Sequence, residues 1–303
     1  MRKPIYVVLA VAGKSTKLEE TLASLSRCLQ PVEYVATVVV ENGSKYGAEQ
    51  IVRKYSDSLN TYYLYHPKGN KSNALNFAME HIKEEDALLL MTDDDAEFDP
   101  NVISHYAEYA RKYPEKAYFG GKMLAKYEHT PPDWLLPILP TSSSNWPTND
   151  INVEDQHRFL GINWGAYLSD LQKSGGFDVR FGPGTVPRRV GQEHNMQDRL
   201  FAAGVRPIFI PEAVVWHYVP RERSSVKFAL ERNYQFGIRQ GILMKNNQQG
   251  FVALMLTTSK YWVKSTGRIL LAIITLSRKG LYLGMAEFCI GAGIVKGFFL
   301  SGT

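Results

Sequence analysis

The 303-residue chain has only two cysteines, Cys28 and Cys289. So few, so far apart, exclude a metal knuckle or a disulfide framework and fit a reducing compartment. A clean run of about 20 uncharged apolar residues, as a membrane-spanning helix requires, is also missing. Residues 281–300 have the length but carry Glu287 and Lys296. No internal repeat is present. Most of the chain also lacks excess charge. The net charge of +5 resides in residues 251–303, with six Lys/Arg against Glu287, so residues 1–250 are formally neutral. A nucleic-acid-binding body, which needs concentrated positive charge, is thereby excluded. At 45% hydrophobic and 21% charged residues, the composition is neither disordered nor collagen-like. Arg2 and Lys3 precede an apolar run of eight residues, 5–12, rich in β-branched side chains. It reads as a buried strand rather than a signal peptide, so the expected location is the cytosol.

The first hundred residues alternate strand-like and helix-like segments. Strands are expected over 5–11, 35–40, 61–65 and 87–91, and helices over 17–29, 46–55 and 73–82. Leu18, Leu22, Leu25 and Leu29 carry the first helical period, and Pro31 follows its end. This rhythm predicts an α/β fold with a mostly parallel, helix-covered sheet, whose ligands collect at the carboxyl ends of the strands. Residues 130–150 read as a long surface loop, 161–176 as a short strand and helix, and 181–191 as a mobile loop. A helix over 192–203, strands over 205–210 and 214–218, and a helix over 225–243 follow. The basic residues Lys260, Lys264 and Arg268 recur every four positions, on one helical face beside Tyr261 and Trp262. That face fits helices lying in a membrane interface, with the cations toward anionic lipid. A helical cap on the sheet or a subunit interface is the alternative.

Asp93, Asp94 and Asp95 follow the fourth strand directly. Adjacent carboxylates repel, so a divalent cation sharing oxygens with a diphosphate is a natural partner. An acidic loop capping the helix near Pro100 would look the same. Glu41-Asn42-Gly43-Ser44 places an acid at the end of the second strand, where it can accept from a base or ribose, or cap a turn. Gly69 to Asn76 (GNKSNALN) opens a helix with Lys71 in reach of phosphate or ribose oxygens, or simply starts that helix. Glu193, at the start of a helix, can act as a general base or complement the helix dipole. His217 ends a β-rich run and can join Asp95 at a metal or be structural. Trp134, Trp146 and Trp164 can stack on sugar rings or fill the core.

In this order the segments resemble the family 2 glycosyltransferases, with the GT-A (Rossmann-like) nucleotide-sugar-binding fold, over roughly residues 4–220. VVVENGS is similar to the family's strand–acid–turn, GNKSNALN to its Gly-Lys-x-x-Ala-Leu-Asn segment, and MTDDD to its DxD motif. FLGINWGAYLSDLQKSGGFD resembles the acceptor-side block, and GQEHNMQDRLFAAGVRPIFIPEAVVWHYV the Glu-Asp helix with its following histidine strand. The resemblance implies donor-binding roles for Ala10, Glu41, Lys71, Asp93 and Asp94, and a divalent metal (Mn²⁺ or Mg²⁺) on Asp95 and His217. It also implies Glu193 as catalytic base and Asn163, Trp164 and Asp178 on the acceptor side. The usual Glu-Asp pair is Gln192-Glu193 here, so the base is one methylene longer. The Gln-x-x-Arg-Trp motif of processive synthases is missing, which favours single-sugar addition.

The implied reaction is an inverting transfer from a nucleoside-diphosphate sugar, UDP-linked by family preference, to a glycan or lipid-linked hydroxyl acceptor. Arg188 and Arg189 are candidates to steady the phosphates, with 181–191 closing over the donor. The expected organisation is a glycosyltransferase domain over 1–222 (donor half 1–100, acceptor half 101–222) and a helical, membrane-associating region over 223–303. The enzyme would then sit peripherally on the cytoplasmic face of the membrane. Two rivals remain. A sugar-1-phosphate nucleotidyltransferase lacks its Gly-Gly-x-Gly-Thr-Arg loop here, and an inactive scaffold would have no use for Asp93, Asp95, Glu193 and His217.

Overall fold

The strands that carry the fold are those whose sequence is apolar without alternation, because helices cover both of their faces. The computed structural model describes residues 2–14, 16–147, 156–183 and 191–300. Its elements run β1 (Ile5–Ala12), α1 (Leu18–Leu25), β2 (Tyr34–Asn42), α2 (Ala48–Arg53), α3 (Ser56–Leu59), β3 (Thr61–His66), α4 (Lys71–His81) and β4 (Leu88–Thr92). They continue β5 (Ala96–Phe98), α5 (Val102–Lys112), β6 (Ala117–Tyr127), β7 (Trp164–Tyr167), α6 (Leu168–Lys173), α7 (Gln192–Ala202) and β8 (Arg206–Val219). Three long helices close the described chain: α8 (Val226–Asn246), α9 (Phe251–Thr275) and α10 (Arg278–Phe299).

Eight strands form one sheet in the order β3-β2-β1-β4-β7-β6-β8-β5. Strands β3, β2, β1 and β4 are parallel, and β7 joins β4 antiparallel, with Met91 opposite Trp164. The parallel half is the one expected from sequence. Beyond β4 the sheet turns antiparallel, and it gains β5 and β6, which the sequence did not announce. The core lies on both sides of β1, where Ile5, Leu9, Leu18, Leu22 and Leu25 are fully buried. The helix expected over 46–55 is α2, and a further short helix, α3, follows it over Ser56–Leu59. The two strands expected over 205–218 are one, since the chain stays extended through Pro211 and buries Ala213.

The chain divides into two compact units. The first comprises residues 1–124 and 145–218, the second 125–144 and 219–303. The boundary near 222 therefore shifts slightly, and residues 125–144 leave the acceptor half for the helical unit. The reason is apolar. Leu135, Ile138 and Leu139, expected in a surface loop, are buried with Ala229 and Ala286 in a core of the second unit. Trp134 stacks on Tyr282 at 4.8 Å.

Within this second unit α10 packs along α8 and α9. A Cβ on Gly237 or Gly241 of α8 would fall 2.2 or 2.1 Å from the carbonyl oxygens of Ile290 and Ile294. A Cβ on Gly293 or Gly297 would meet the Tyr234 and Ile238 carbonyls at 2.2 and 2.0 Å. Two Gly-x-x-x-Gly pairs thus bring the backbones into direct contact, as small residues at helix crossings allow. Among the described residues α10 is the one helix long and apolar enough to cross a membrane. Glu287 of α10 is buried and paired with Lys264 at 3.0 Å and Arg268 at 3.4 Å. Two of the three cations expected to face lipid are therefore also paired with a carboxylate of the next helix.

Candidate active site

The site grows from the carboxyl edge of the parallel strands. Leu9 of β1 pairs with Thr92, the last residue of β4, so Ala10 stands just past that pairing, beside the start of Asp93-Asp94-Asp95. The aspartates then lead into β5, where Ala96 pairs with His217 of β8. That register delivers the Asp95 side chain to the histidine: Oδ2 of Asp95 lies 3.3 Å from Nε2 of the buried His217. The main chain is tied at the same place, with Tyr218 N–H donating to the Asp95 carbonyl at 2.9 Å. Thr21 Oγ1 of α1 donates to the Asp94 carbonyl at 2.9 Å, which holds the middle of the acidic turn against the first helix.

Lys71, at the start of α4, donates to Oδ1 of Asp93. Burial works against its charge, but Asp93 outweighs that effect, and Glu193 and Asp95 add to it, so the ammonium is held above its ordinary pKa. One cation thus senses three carboxylates expected from sequence to act together. Glu193 occupies the first turn of α7, after Gly191 at φ 94°. A Cβ on Gly161 would lie 3.4 Å from its Cγ and Cδ, so the Gly-Ile-Asn-Trp turn lies directly against the glutamate. The site therefore combines Lys71, Asp93, Asp95, Glu193 and His217. One face offers a carboxylate–imidazole pair to a cation, and a separate, partly exposed carboxylate is available to take a proton.

Other expected residues have different work. Glu41 is buried, and its Oε1 accepts from Tyr46 N–H at 2.5 Å while Oε2 accepts from the Tyr63 hydroxyl at 2.5 Å. Its carboxylate orders the turn after β2 instead of facing a base. Asn163 is buried, accepts from the Tyr106 hydroxyl at 2.9 Å and donates to the carbonyls of Lys122 and Ala213 at 2.8 and 2.9 Å. It is 4% exposed and fastens β6 and β8 to the loop before β7. Trp164 is 1% exposed and meets Phe177 edge-on at 6.1 Å, so it fills core and cannot stack on a sugar. Trp146 is likewise buried, between Phe159 and Phe209. Asp178 is bound by Arg180, whose guanidinium donates at 2.7 Å and holds the carboxyl below the usual range. Arg188, Arg189 and most of the 181–191 loop lie outside the described residues.

The sequence did not reveal what joins the two motif-bearing halves of this unit. Asn76 of α4 clasps Phe177, donating to its carbonyl at 2.8 Å and accepting from its N–H at 2.7 Å. Asn70 caps α4 by accepting from Ser72 N–H at 2.7 Å and also donates to the Val179 carbonyl at 2.7 Å. Ser72 Oγ donates to the Phe181 carbonyl at 2.8 Å. The polar positions of GNKSNALN thus hold the chain after Gly175-Gly176 against α4. From α7, Arg199 donates to the carbonyls of Ser174 and Gly176. The motif was visible, but which residues its asparagines would grip was not.

Among the described residues no three His, Cys, Asp or Glu side chains gather as a complete cage. Asp95 and His217, at 3.3 Å, are two donors close enough to share one ion. Two protein ligands suit a cation that completes its shell with water and substrate phosphates. The residues fit.

The family model for glycosyl transferase family 2 matches residues 6–164, just over half of the chain. A curated relative, the succinoglycan biosynthesis protein ExoM of Rhizobium meliloti (strain 1021), is 25% identical over 247 residues, 77% of this chain and 73% of its own. Among solved structures, the mannosyltransferase PcManGT from Pyrobaculum calidifontis, in complex with GDP-Man and Mn²⁺, superposes with a TM-score of 0.62. It is 17% identical, over 99% of this chain and 88% of that one. TarS 1–349 of S. aureus, in complex with UDP-GlcNAc, gives a TM-score of 0.54 at 14% identity, over 97% of this chain and 90% of that one. At these identities the structures establish the shared fold.

Proposed function

We propose a specific reaction for this chain, which belongs to glycosyl transferase family 2 and is a glycosyltransferase: inverting, metal-dependent transfer of one sugar from a nucleoside diphosphate to a hydroxyl acceptor. The observation that carries it is the Asp95–His217 pair at 3.3 Å beside the Lys71–Asp93 pair, with Glu193 acting on the same lysine. Asp95 and His217 would hold Mn²⁺ or Mg²⁺. Bound there, the ion would neutralise charge on the departing diphosphate. Lys71 would stand against the same charge, and Asp93 and Asp94, with the Ala10 backbone, would line the ribose and sugar side of the donor. Glu193 would accept the acceptor's hydroxyl proton as its oxygen attacks the anomeric carbon from the face opposite the leaving group.

UDP-sugars are the first donors to try. TarS was solved with UDP-GlcNAc and PcManGT with GDP-Man and Mn²⁺, so both nucleotides belong in the test. The likeness to ExoM supports an acceptor in polysaccharide synthesis, glycan or lipid-linked. The same reading puts the enzyme on the cytoplasmic side of a membrane surface, reached through the helical unit. The test is turnover of each nucleotide sugar with and without Mn²⁺, with the product's anomeric configuration read by NMR. Transfer with inverted configuration that needs Mn²⁺ and Glu193 supports the proposal. Retained configuration, or consumption of a nucleoside triphosphate with pyrophosphate release, overturns it.

A further inference from the structure

Helix α9 has two apolar sides, and the helical unit uses one of them. Leu254, Thr258, Ser265 and Ala272 are buried within the unit. On the opposite side Val252, Leu256, Val263, Leu270 and Ile274 follow one another at spacings of four and seven residues, and they are 72, 59, 73, 58 and 79% exposed. Those spacings keep them in a single line along the helix, about 33 Å long at 1.5 Å per residue. A contiguous stripe of this kind is unusual on a monomer facing water, and it marks an interaction surface.

We infer that this stripe is the surface by which the protein lies in the interface of an anionic lipid bilayer, with α9 parallel to the membrane plane. The inference deepens the membrane-surface reading given under Proposed function and rests on it. Charge selects the occupant. Residues 251–303 hold one acid, Glu287, and Lys264 and Arg268 already pair with it. Lys260, Arg278 and Lys279 are exposed near the stripe, so the surface around it is positive, which complements phosphate headgroups. Lys260 lies on the stripe's flank, where its long stem can cover apolar surface while the ammonium stays at headgroup level.

A second copy of the chain is disfavoured by the same charges, because a two-fold contact would bring like cations together. A spanning arrangement of α9 would carry Lys260, Lys264 and Arg268 through the hydrocarbon, at high cost. Helix α10, apolar enough to span, is already engaged at backbone contact with α8 through Gly293 and Gly297. It serves as the scaffold that presents α9.

The experiment is co-sedimentation of the purified full chain with vesicles of phosphatidylcholine alone and with added phosphatidylglycerol. The double substitution Val263→Glu and Leu270→Glu is run alongside, and its fold is checked by circular dichroism and thermal melting. The wild type should bind the anionic vesicles, bind the neutral ones more weakly, and be released by an alkaline carbonate wash. The double variant should melt as the wild type does and partition at least about tenfold less. Equal binding by both proteins would overturn the stripe while leaving the membrane reading in place. No binding of the wild type to either vesicle would overturn both. Retention through the carbonate wash would mean a spanning helix. A wild-type dimer that the double variant breaks, without vesicle binding, would mean a second copy; either result overturns the inference.

Discussion

Oδ2 of Asp95 and Nε2 of His217 lie 3.3 Å apart because β5 and β8 are paired with Ala96 opposite His217. The two residues are more than a hundred positions apart in sequence, and one backbone register brings them together. Asp95→Asn and His217→Ala should each weaken metal affinity by at least about 10–100-fold, the loss that an outer-shell partner alone causes, and lower turnover accordingly. Mn²⁺ titration of donor turnover checks this. An unchanged metal dependence in both variants would remove them from the metal site.

Glu193→Gln should reduce kcat by roughly 10²–10⁴-fold while leaving donor affinity near that of the wild type. Steady-state kinetics against calorimetric donor binding separates the two effects. Glu193→Asp, which restores the acid with a shorter reach, should recover part of the loss. A glutamine variant with undiminished kcat would mean that another group takes the proton.

Asn163→Ala should be a stability variant. It removes three hydrogen bonds, one from the Tyr106 hydroxyl and two to the carbonyls of Lys122 and Ala213, at a cost of about 3 kcal/mol. A fall in melting temperature with acceptor KM unchanged in the surviving folded enzyme is the expected result. A raised acceptor KM at unchanged melting temperature would return Asn163 to the acceptor site.

A pH-dependent contribution comes from Glu33, which belongs to no motif. Its buried carboxylate receives two hydrogen bonds from Arg111, at 2.8 and 3.0 Å, which hold its pKa below the usual range. A depressed carboxyl contributes stability that is present above its unfolded pKa, about 4.3, and lost as pH falls through the folded value. Glu33→Gln should therefore destabilise the protein at pH 7 by about 1–3 kcal/mol, and the gap to wild type should narrow below about pH 4. Thermal melts across pH measure it. A gap that stays constant to pH 3 would show that the ion pair contributes nothing.

The parallel half of the sheet was legible because strands covered on both faces leave unbroken apolar runs such as LLLMT, and because the Asp93 triplet marks where one of them ends. In the antiparallel half β7 and β8 fell on expected strands, but β5 and β6 did not, since β5 has only three residues and β6 is interrupted by Gly120 and Gly121. Residue type located the reactive groups but not the direction of each side chain. Asn163 and Trp164 stand together in a motif yet both point into the core, and Glu41 turns to Tyr63. In the helical unit, the spacing of Lys264 and Arg268 was correctly read as one face. Their partner, Glu287, comes from the next helix, and a pattern within α9 cannot announce it.

Asp95 and His217 are proposed to form a cation-dependent nucleoside-diphosphate site. Thermal shift with UDP, GDP and their sugars, each with and without Mn²⁺, tests it most directly, because a ligand of the native state raises the melting temperature by mass action. The expected result is a rise for one nucleotide that requires Mn²⁺ and disappears in Asp95→Ala. A rise that is independent of Mn²⁺, or that persists undiminished in Asp95→Ala, would contradict it.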